Sequence, residues 1–246
     1  MKIKRLILNQ MYRNSSLRKA IAFSVFVKAH TPNCVVKDWS VNKLHEMTGV
    51  SANAIKARLG VLESMGLIEK IGIRKNHLLF KSLHSHTAHR NVIISDIKFK
   101  PNNNLKKNAY AQEIKNIENV LAAMLLVEIQ RHKDFAKQMI QRKVNPRSVK
   151  EYKESVKACN RFEFREDKFV DNGISYKYLA AKIGISISKT VEIVKCAVYN
   201  NLIKKIHRTY KRYKAYSKYI EDILCNFTFC HNNYIYKILA NRYELV

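Results

Sequence analysis

Three separated patterns in this chain recur at one constant spacing. Ser40-Val41-Asn42-Lys43-Leu44, Gly49-Val50-Ser51 and Gly66-Leu67-Ile68-Glu69-Lys70-Ile71 form the first set. Ser175-Tyr176-Lys177-Tyr178-Leu179, Gly184-Ile185-Ser186 and Asn201-Leu202-Ile203-Lys204-Lys205-Ile206 form the second. The differences 175 − 40, 184 − 49 and 202 − 67 all equal 135, so the copies align without a gap. An internal repeat of this kind constrains the fold more than any composition does, because both copies must satisfy one local geometry.

That geometry is legible. Ser40 and Ser175 are N-cap residues, their hydroxyls able to accept an orphan N–H of a first helical turn. Leu44 and Leu179 face inward on the short helix that follows. Gly49 and Gly184 stand where it must stop and turn, a place that favours positive φ. Ser51 and Ser186 cap a second helix. Its buried stripe is Ile55, Leu59 and Leu62 in the first copy and Thr190, Val194 and Ala197 in the second. Gly66 and Asn201 end it as left-handed C-caps, and the Leu-Ile that follows starts a strand.

This pattern resembles the winged helix-turn-helix of bacterial regulators, with its Gly-x-Ser turn and closing Gly-Leu-Ile, over residues 39–83 and 174–217. The implied fold is mainly α with small β-hairpin wings: two winged helix-turn-helix units joined by a long central helix. The first unit takes residues 1–100, a linker with the central helix 101–145, the second unit 146–217, and a C-terminal helical tail 218–246. Ser16 caps a first helix over Leu17–Ala29, and Asn145-Pro146 start the corresponding helix over 146–159. Residues 106–143 are rich in helix formers. Their apolar series at Ile114, Ile117, Leu121, Met124, Leu125, Val127 and Ile129, then Phe135, Met139 and Ile140, admits two readings: a homodimerisation helix, or packing onto the chain's own units.

The resemblance implies that the second helix of each copy enters a major groove of double-stranded DNA. Ser51, Ala52, Asn53, Lys56, Ala57 and Arg58 are then the contact residues of the first copy. Asn suits adenine, and Lys or Arg suits guanine or phosphate. In the second copy they are Ser186, Ile187, Ser188, Lys189, Val191, Glu192 and Lys195, with Glu192 opposing phosphate. The wings add Arg74 and Lys75 within Gly72–His77, and Arg208, Lys211, Arg212 and Lys214, interleaved with Tyr210 and Tyr213, at an expected hairpin tip.

Charge agrees. Lys and Arg number 46 against 19 Asp and Glu, a formal net charge of +27, which a polyanion would relieve. With 47 % of residues hydrophobic, a buried core is expected rather than disorder throughout. Five scattered cysteines without a CxxC pair are read as reduced thiols of a cytoplasmic, nucleoid-associated protein. No membrane partner is expected, for want of an apolar run of about 18 residues.

Other chemistries are weaker. His84-Ser85-His86 with His89 lacks metal partners at fixed spacing. It matches the His-apolar-His of rolling-circle nickases only at its outer residues, since Ser85 is polar. Glu163, Glu166, Asp167 and Asp171 read as a solvated acidic segment, and Cys225, Cys230 and His231 fall short of a zinc set. No Walker A, GxGxxG or GxSxG motif occurs. The expectation is a sequence-specific DNA binder without cofactor, metal or enzymatic activity, acting in transcriptional regulation. The alternatives are a plasmid or phage replication initiator, similar in architecture to iteron-binding initiators, and a DNA-coating phage protein packaged in virions.

Overall fold

The computed structural model describes residues 2–73, 75–84, 91–93, 107–162, 173–199, 201–214, 228–231 and 234–245, with only the backbone for 2, 91–93, 107–109, 162, 208–214, 228–231, 234–239, 244 and 245. The chain is mainly helical with small antiparallel sheets. It divides into two compact units, residues 1–125 with 180–202 and residues 126–179 with 203–246.

The first unit opens with β1 (Lys2–Lys4), which pairs with β5 (Asn91–Ile93). Then come α1 (Arg5–Gln10) and α2 (Ser15–Ala29). The cap of α2 is Asn14, not Ser16: the Asn14 side chain accepts from Leu17 N at 2.9 Å, and Ser16 already lies in the first turn. Leu17, Ala20, Ile21, Phe23, Phe26 and Val27 are all buried, so α2 carries the unit's core. It is followed by β2 (Val35–Val36), α3 (Val41–Thr48), α4 (Ala52–Ser64), β3 (Ile68–Ile71) and β4 (His77–Phe80). The three strands form an antiparallel sheet in the order β2-β4-β3, with Ile68 opposite Phe80 and Ile71 opposite His77. Helix α4 packs against α2 and α3, where Leu44, Ile55, Leu59 and Leu62 are buried. Each such side chain contributes about 1.5–3 kcal/mol by leaving water.

The repeat survives in three dimensions. Helices α7 (Tyr176–Ile183) and α8 (Ile187–Tyr199) correspond to α3 and α4: 176 − 41, 183 − 48, 187 − 52 and 199 − 64 all equal 135. Ser40 Oγ accepts from Lys43 N at 3.0 Å, and Ser175 Oγ from Tyr178 N at 3.1 Å. Gly49 and Gly184 take φ of 67° and 73°, and Gly66 and Asn201 take 63° and 52°. The closing bonds match as well, Leu67 N to Leu62 O at 2.8 Å and Leu202 N to Ala197 O at 2.9 Å. Thr190, where the first copy has Ile55, is buried with its hydroxyl donating to Ser186 O at 2.9 Å. That bond is what makes a polar residue tolerable in the stripe.

Helix α5 (Lys107–Val144) runs for 38 residues, about 57 Å. Its residues Leu121–Gln130 are all buried, so this stretch is not an amphipathic surface helix. Of the apolar series, Ile114, Ile117, Leu121, Met124, Leu125, Val127, Ile129 and Met139 are buried within the chain itself, while Phe135 is 40 % exposed.

In the second unit, α6 (Val149–Phe162) follows α5. It starts three residues later than Asn145-Pro146 implied. Asn145 closes α5 by donating to Gln141 O, while Ser148 caps α6 by accepting from Glu151 N at 3.1 Å. Ala136 and Met139 of α5 pack with Cys159 of α6. The remaining elements are β6 (Ile203–Lys214), β7 (Thr228–His231) and β8 (Tyr234–Leu245), in the order β6-β8-β7. Two expectations fail here. The tail assigned to helices contains two strands, β7 and β8. The second wing is not a local hairpin, because Ile203–Lys214 is one strand whose partner is β8. The first wing has Gly72 and Asn76 to turn on, whereas Ile203–Lys214 contains no Gly, Pro, Asn or Asp.

Candidate nucleic-acid interface

Helix α4 presents one outward face. Ser51, Ala52, Asn53, Lys56, Ala57 and Gly60 are exposed, opposite the buried Ile55, Leu59 and Leu62. Ser51 was expected to cap this helix, but its side chain makes no capping bond; only its carbonyl serves, accepting from Ile55 N. Gly60 occupies a helix interior with open space beside it, nothing lying within 4 Å of the position a Cβ would take. The fold therefore gives no packing reason for a residue that costs a helix about 1 kcal/mol relative to Ala.

Arg58 departs from the expected outward face. Its guanidinium lies over the Phe23 ring, 5.7 Å from the centroid, and its buried Nη1 has no hydrogen-bond partner among the described residues. Burial pushes its pKa down, and the Glu118 carboxylate partly opposes this. The cause is its place in the helix: one residue before Leu59 and three after Ile55, it borders the buried stripe, and α4 packs on α2 there. Beside it Ser16, Lys19, Ala54, Ala57, Arg58 and Val61 line an open pocket of about 290 Å³.

Helix α8 shows a different face at equivalent positions. Ser188 stands for Asn53, Glu192 for Ala57 and Lys195 for Gly60, and all three are exposed. Ser186 is an N-cap, accepting from Lys189 N at 3.2 Å. Ile187 is 51 % exposed, and Val191 is half-buried. Lys189 is engaged with Glu192 at 2.8 Å, and that hydrogen bond and charge hold the Glu192 carboxyl below its usual range. This ion pair removes one cation from the outward set and blunts the acidic residue.

The turn between α7 and α8 is fixed to the start of the chain. Arg18 is 1 % exposed, and its Nη1 donates to Ile183 O at 2.6 Å and to Met11 O at 3.2 Å. Arg13 N donates to Lys182 O at 3.0 Å. A Cβ on Gly184 would lie 2.9 Å from Arg13 Cα, so only glycine allows this approach. Both exposed helix faces, on α4 and on α8, therefore belong to one compact unit. Nothing in the sequence pattern pointed to Arg18, which reads locally as a surface cation.

The β3–β4 hairpin is braced from its base. Lys75 is exposed, and Arg74 lies outside the described residues. Trp39 Nε1 donates to Lys75 O at 3.2 Å, Trp39 N to Asn76 O at 2.8 Å, and Asn76 Nδ2 to Asp38 Oδ1 at 2.8 Å. Lys70 Nζ sits 5.8 Å from the Trp39 ring centroid. The sequence signal was the chain's single Trp beside the Ser40 cap. The other expected wing residues, Arg208, Lys211, Arg212 and Lys214, lie along β6 rather than at a tip. Arg208 is opposite Leu239, Lys211 opposite Tyr236 and Lys214 opposite Tyr234, and a register shift between Lys211 and Tyr213 puts Arg212 at a bulge.

Among the described residues no group of three or more His, Cys, Asp or Glu is placed to hold a metal ion, and no helix is long and apolar enough to cross a membrane. Ser85, His86, His89, Glu163, Glu166, Asp167, Asp171 and Cys225 lie outside the described residues. No family model, curated protein or solved structure matches this chain.

Proposed function

We propose that this chain binds double-stranded DNA through helices α4 and α8 of its two helix-turn-helix elements, whose outward faces belong to one compact unit, and regulates transcription by reading two unequal half-sites. The observation that carries the proposal is the duplicated cap–turn–helix geometry, with matching backbone bonds in both copies and the second turn held by Arg18, in a chain of net charge +27. The order α2, β2, α3, α4, β3–β4 is what the resemblance to winged helix-turn-helix regulators implies for the first copy. In this reading α4 enters a major groove with Asn53 and Lys56 foremost, Asn toward adenine and Lys toward guanine or phosphate. Gly60 allows the helix backbone to come close. Helix α8 offers Ser188 and Lys195, a less basic face, and so reads its half-site more weakly. Lys75 and the cations of β6 neutralise phosphates.

Selection of bound fragments from a random duplex pool tests this. The expected result is one enriched motif with two dissimilar halves at fixed spacing. No enrichment overturns sequence-specific regulation and favours a coating role; tandem copies of one short repeat overturn it in favour of origin binding. If about six to ten phosphates are neutralised, log K falls against log[salt] with a slope of about −5 to −9. A slope shallower than about −2 refutes polyanion binding.

A further inference from the structure

Ile73 is the most exposed large apolar side chain among the described residues, at 106 % relative exposure. It sits in the turn between β3 and β4, between Gly72 (φ 92°) and the sequence neighbour Arg74, two residues before Lys75 (φ 51°). A turn of this shape requires Gly72 and a residue tolerant of positive φ. It does not require a β-branched apolar residue at the tip, and Ile73 gains nothing from the fold by being there.

The tip is not a loose one. Lys75 N donates to Gly72 O at 3.0 Å, closing the turn. Trp39 holds it from beneath through the carbonyls of Lys75 and Asn76. Asp38 N donates to His77 Nδ1 at 3.3 Å and its carboxylate accepts from Asn76. A Cβ on Gly72 would lie 2.8 Å from Asn76 Oδ1, so the turn is also closely packed at its base. An apolar side chain is thus carried at the end of a braced hairpin, with the cation Lys75 exposed beside it and Lys70 of the same hairpin bonded to Glu63 at 3.1 Å.

We propose that Ile73 is a wedge that enters the minor groove of bound duplex DNA at a pyrimidine–purine step and bends the duplex. The inference rests on the DNA-binding reading above. Its chemistry is general: apolar wedges on minor-groove proteins part a base step, while flanking cations hold the backbone. TA and CA/TG steps unstack most easily, and A-tracts resist. A single apolar residue offers too little area to anchor the chain on a lipid surface, whereas one base step is a site of its size.

The test uses the full chain and a duplex of about 30 base pairs with central TA steps, fluorophores at its ends and 2-aminopurine at one step. A control duplex of equal length carries a central A-tract. Wild-type protein brings the ends of the TA duplex together and raises 2-aminopurine emission. Ile73→Ala abolishes both and weakens binding to the TA duplex about tenfold, equivalent to about 1.4 kcal/mol. It leaves A-tract affinity and the salt slope unchanged, and Ile73→Met retains the bend. Trp39 emission reports hairpin engagement in every variant, and far-UV circular dichroism verifies the fold.

If wild type and Ile73→Ala bind and bend both duplexes alike, the wedge is refuted and the DNA-binding reading stands. If wild type binds neither duplex, both readings fall. Ile73-dependent binding to anionic phospholipid vesicles, without Ile73-dependent bending, likewise overturns the wedge.

Discussion

Replacing Arg18 by Met should loosen the turn between α7 and α8 without emptying the space the side chain fills. The magnitude follows from its two acceptors. Met11 O also accepts from Asn14 N at 3.1 Å, so it keeps a partner when the guanidinium is lost. Ile183 O, bonded at 2.6 Å, loses the donor that Arg18 supplies. A hydrogen bond from a charged group is worth about 1.5–3 kcal/mol, and an orphaned buried carbonyl costs about 1–3 kcal/mol. Opposing this is the burial of the charge itself. Burial pushes the Arg18 pKa down, Glu118 only partly restores it, and Nη2 is buried without a hydrogen-bond partner among the described residues. The balance is a loss of about 2 kcal/mol for Arg18→Met; Arg18→Ala adds a cavity and about 2 kcal/mol more. Urea unfolding followed by Trp39 emission reads the loss in stability. Hydrogen exchange at Arg13 N, which donates to Lys182 O at 3.0 Å, reads the local opening and should speed up about 30-fold for a 2 kcal/mol loss. On DNA, the variant should tolerate altered spacing between half-sites that wild type rejects. An unchanged urea midpoint together with unchanged Arg13 exchange in Arg18→Met would refute the clamp.

Gly184→Ala should cost about 2–4 kcal/mol, since it combines positive φ with a backbone clash, whereas Gly66→Ala, at a φ of 63° in open space, should cost only about 1–2 kcal/mol; thermal or urea midpoints compare them, and equal losses would mean that the Arg13 approach is unimportant. Gly60→Ala should raise stability by about 1 kcal/mol while lowering DNA affinity, and a variant that gains both would remove close backbone approach from the reading. Asn53→Ala and Lys56→Ala should each lose about 1–3 kcal/mol of discrimination against competitor DNA with unchanged unfolding, and retained discrimination in both would displace α4 as the reading helix. Glu192→Gln releases Lys189 and removes an anion, so nonspecific duplex affinity should rise and the salt slope steepen by about one; titration at several salt concentrations measures it, and no change would place α8 away from the phosphates.

Much of the candidate interface could be read before any fold was known, because its determinants act over three or four residues. Ser40, Ser175 and Ser186 each accept from the N–H three residues on. Gly49, Gly66, Gly184 and Asn201 adopt the left-handed conformation their types permit. The exposed positions of Asn53, Lys56, Ser188 and Lys195 follow from helical periodicity set against the buried stripe. Cap ownership was less secure: Asn14 and Ser148 hold helices assigned to Ser16 and Asn145, since adjacent polar residues compete for one N–H and only the path of the chain chooses between them.

The repeat, its helix boundaries, its turns and the long helix α5 are thus set locally, by hydrogen bonds and side-chain spacing within a single turn of chain. The rest depends on contacts between segments far apart in the chain. Strand β6 carries no turn residues, yet nothing in its own pattern names β8 as its partner, because strand pairing depends on cross-strand neighbours rather than on local preference. The C-terminal Tyr and Ile residues fit an apolar helix face or a strand until that partner is known. Arg58 is drawn inward by the α2–α4 packing. Arg18 becomes a buried clamp only because a carbonyl 165 residues away in sequence comes within 2.6 Å of it: a guanidinium is costly to bury, and only long-range contacts can supply the acceptors that offset the cost.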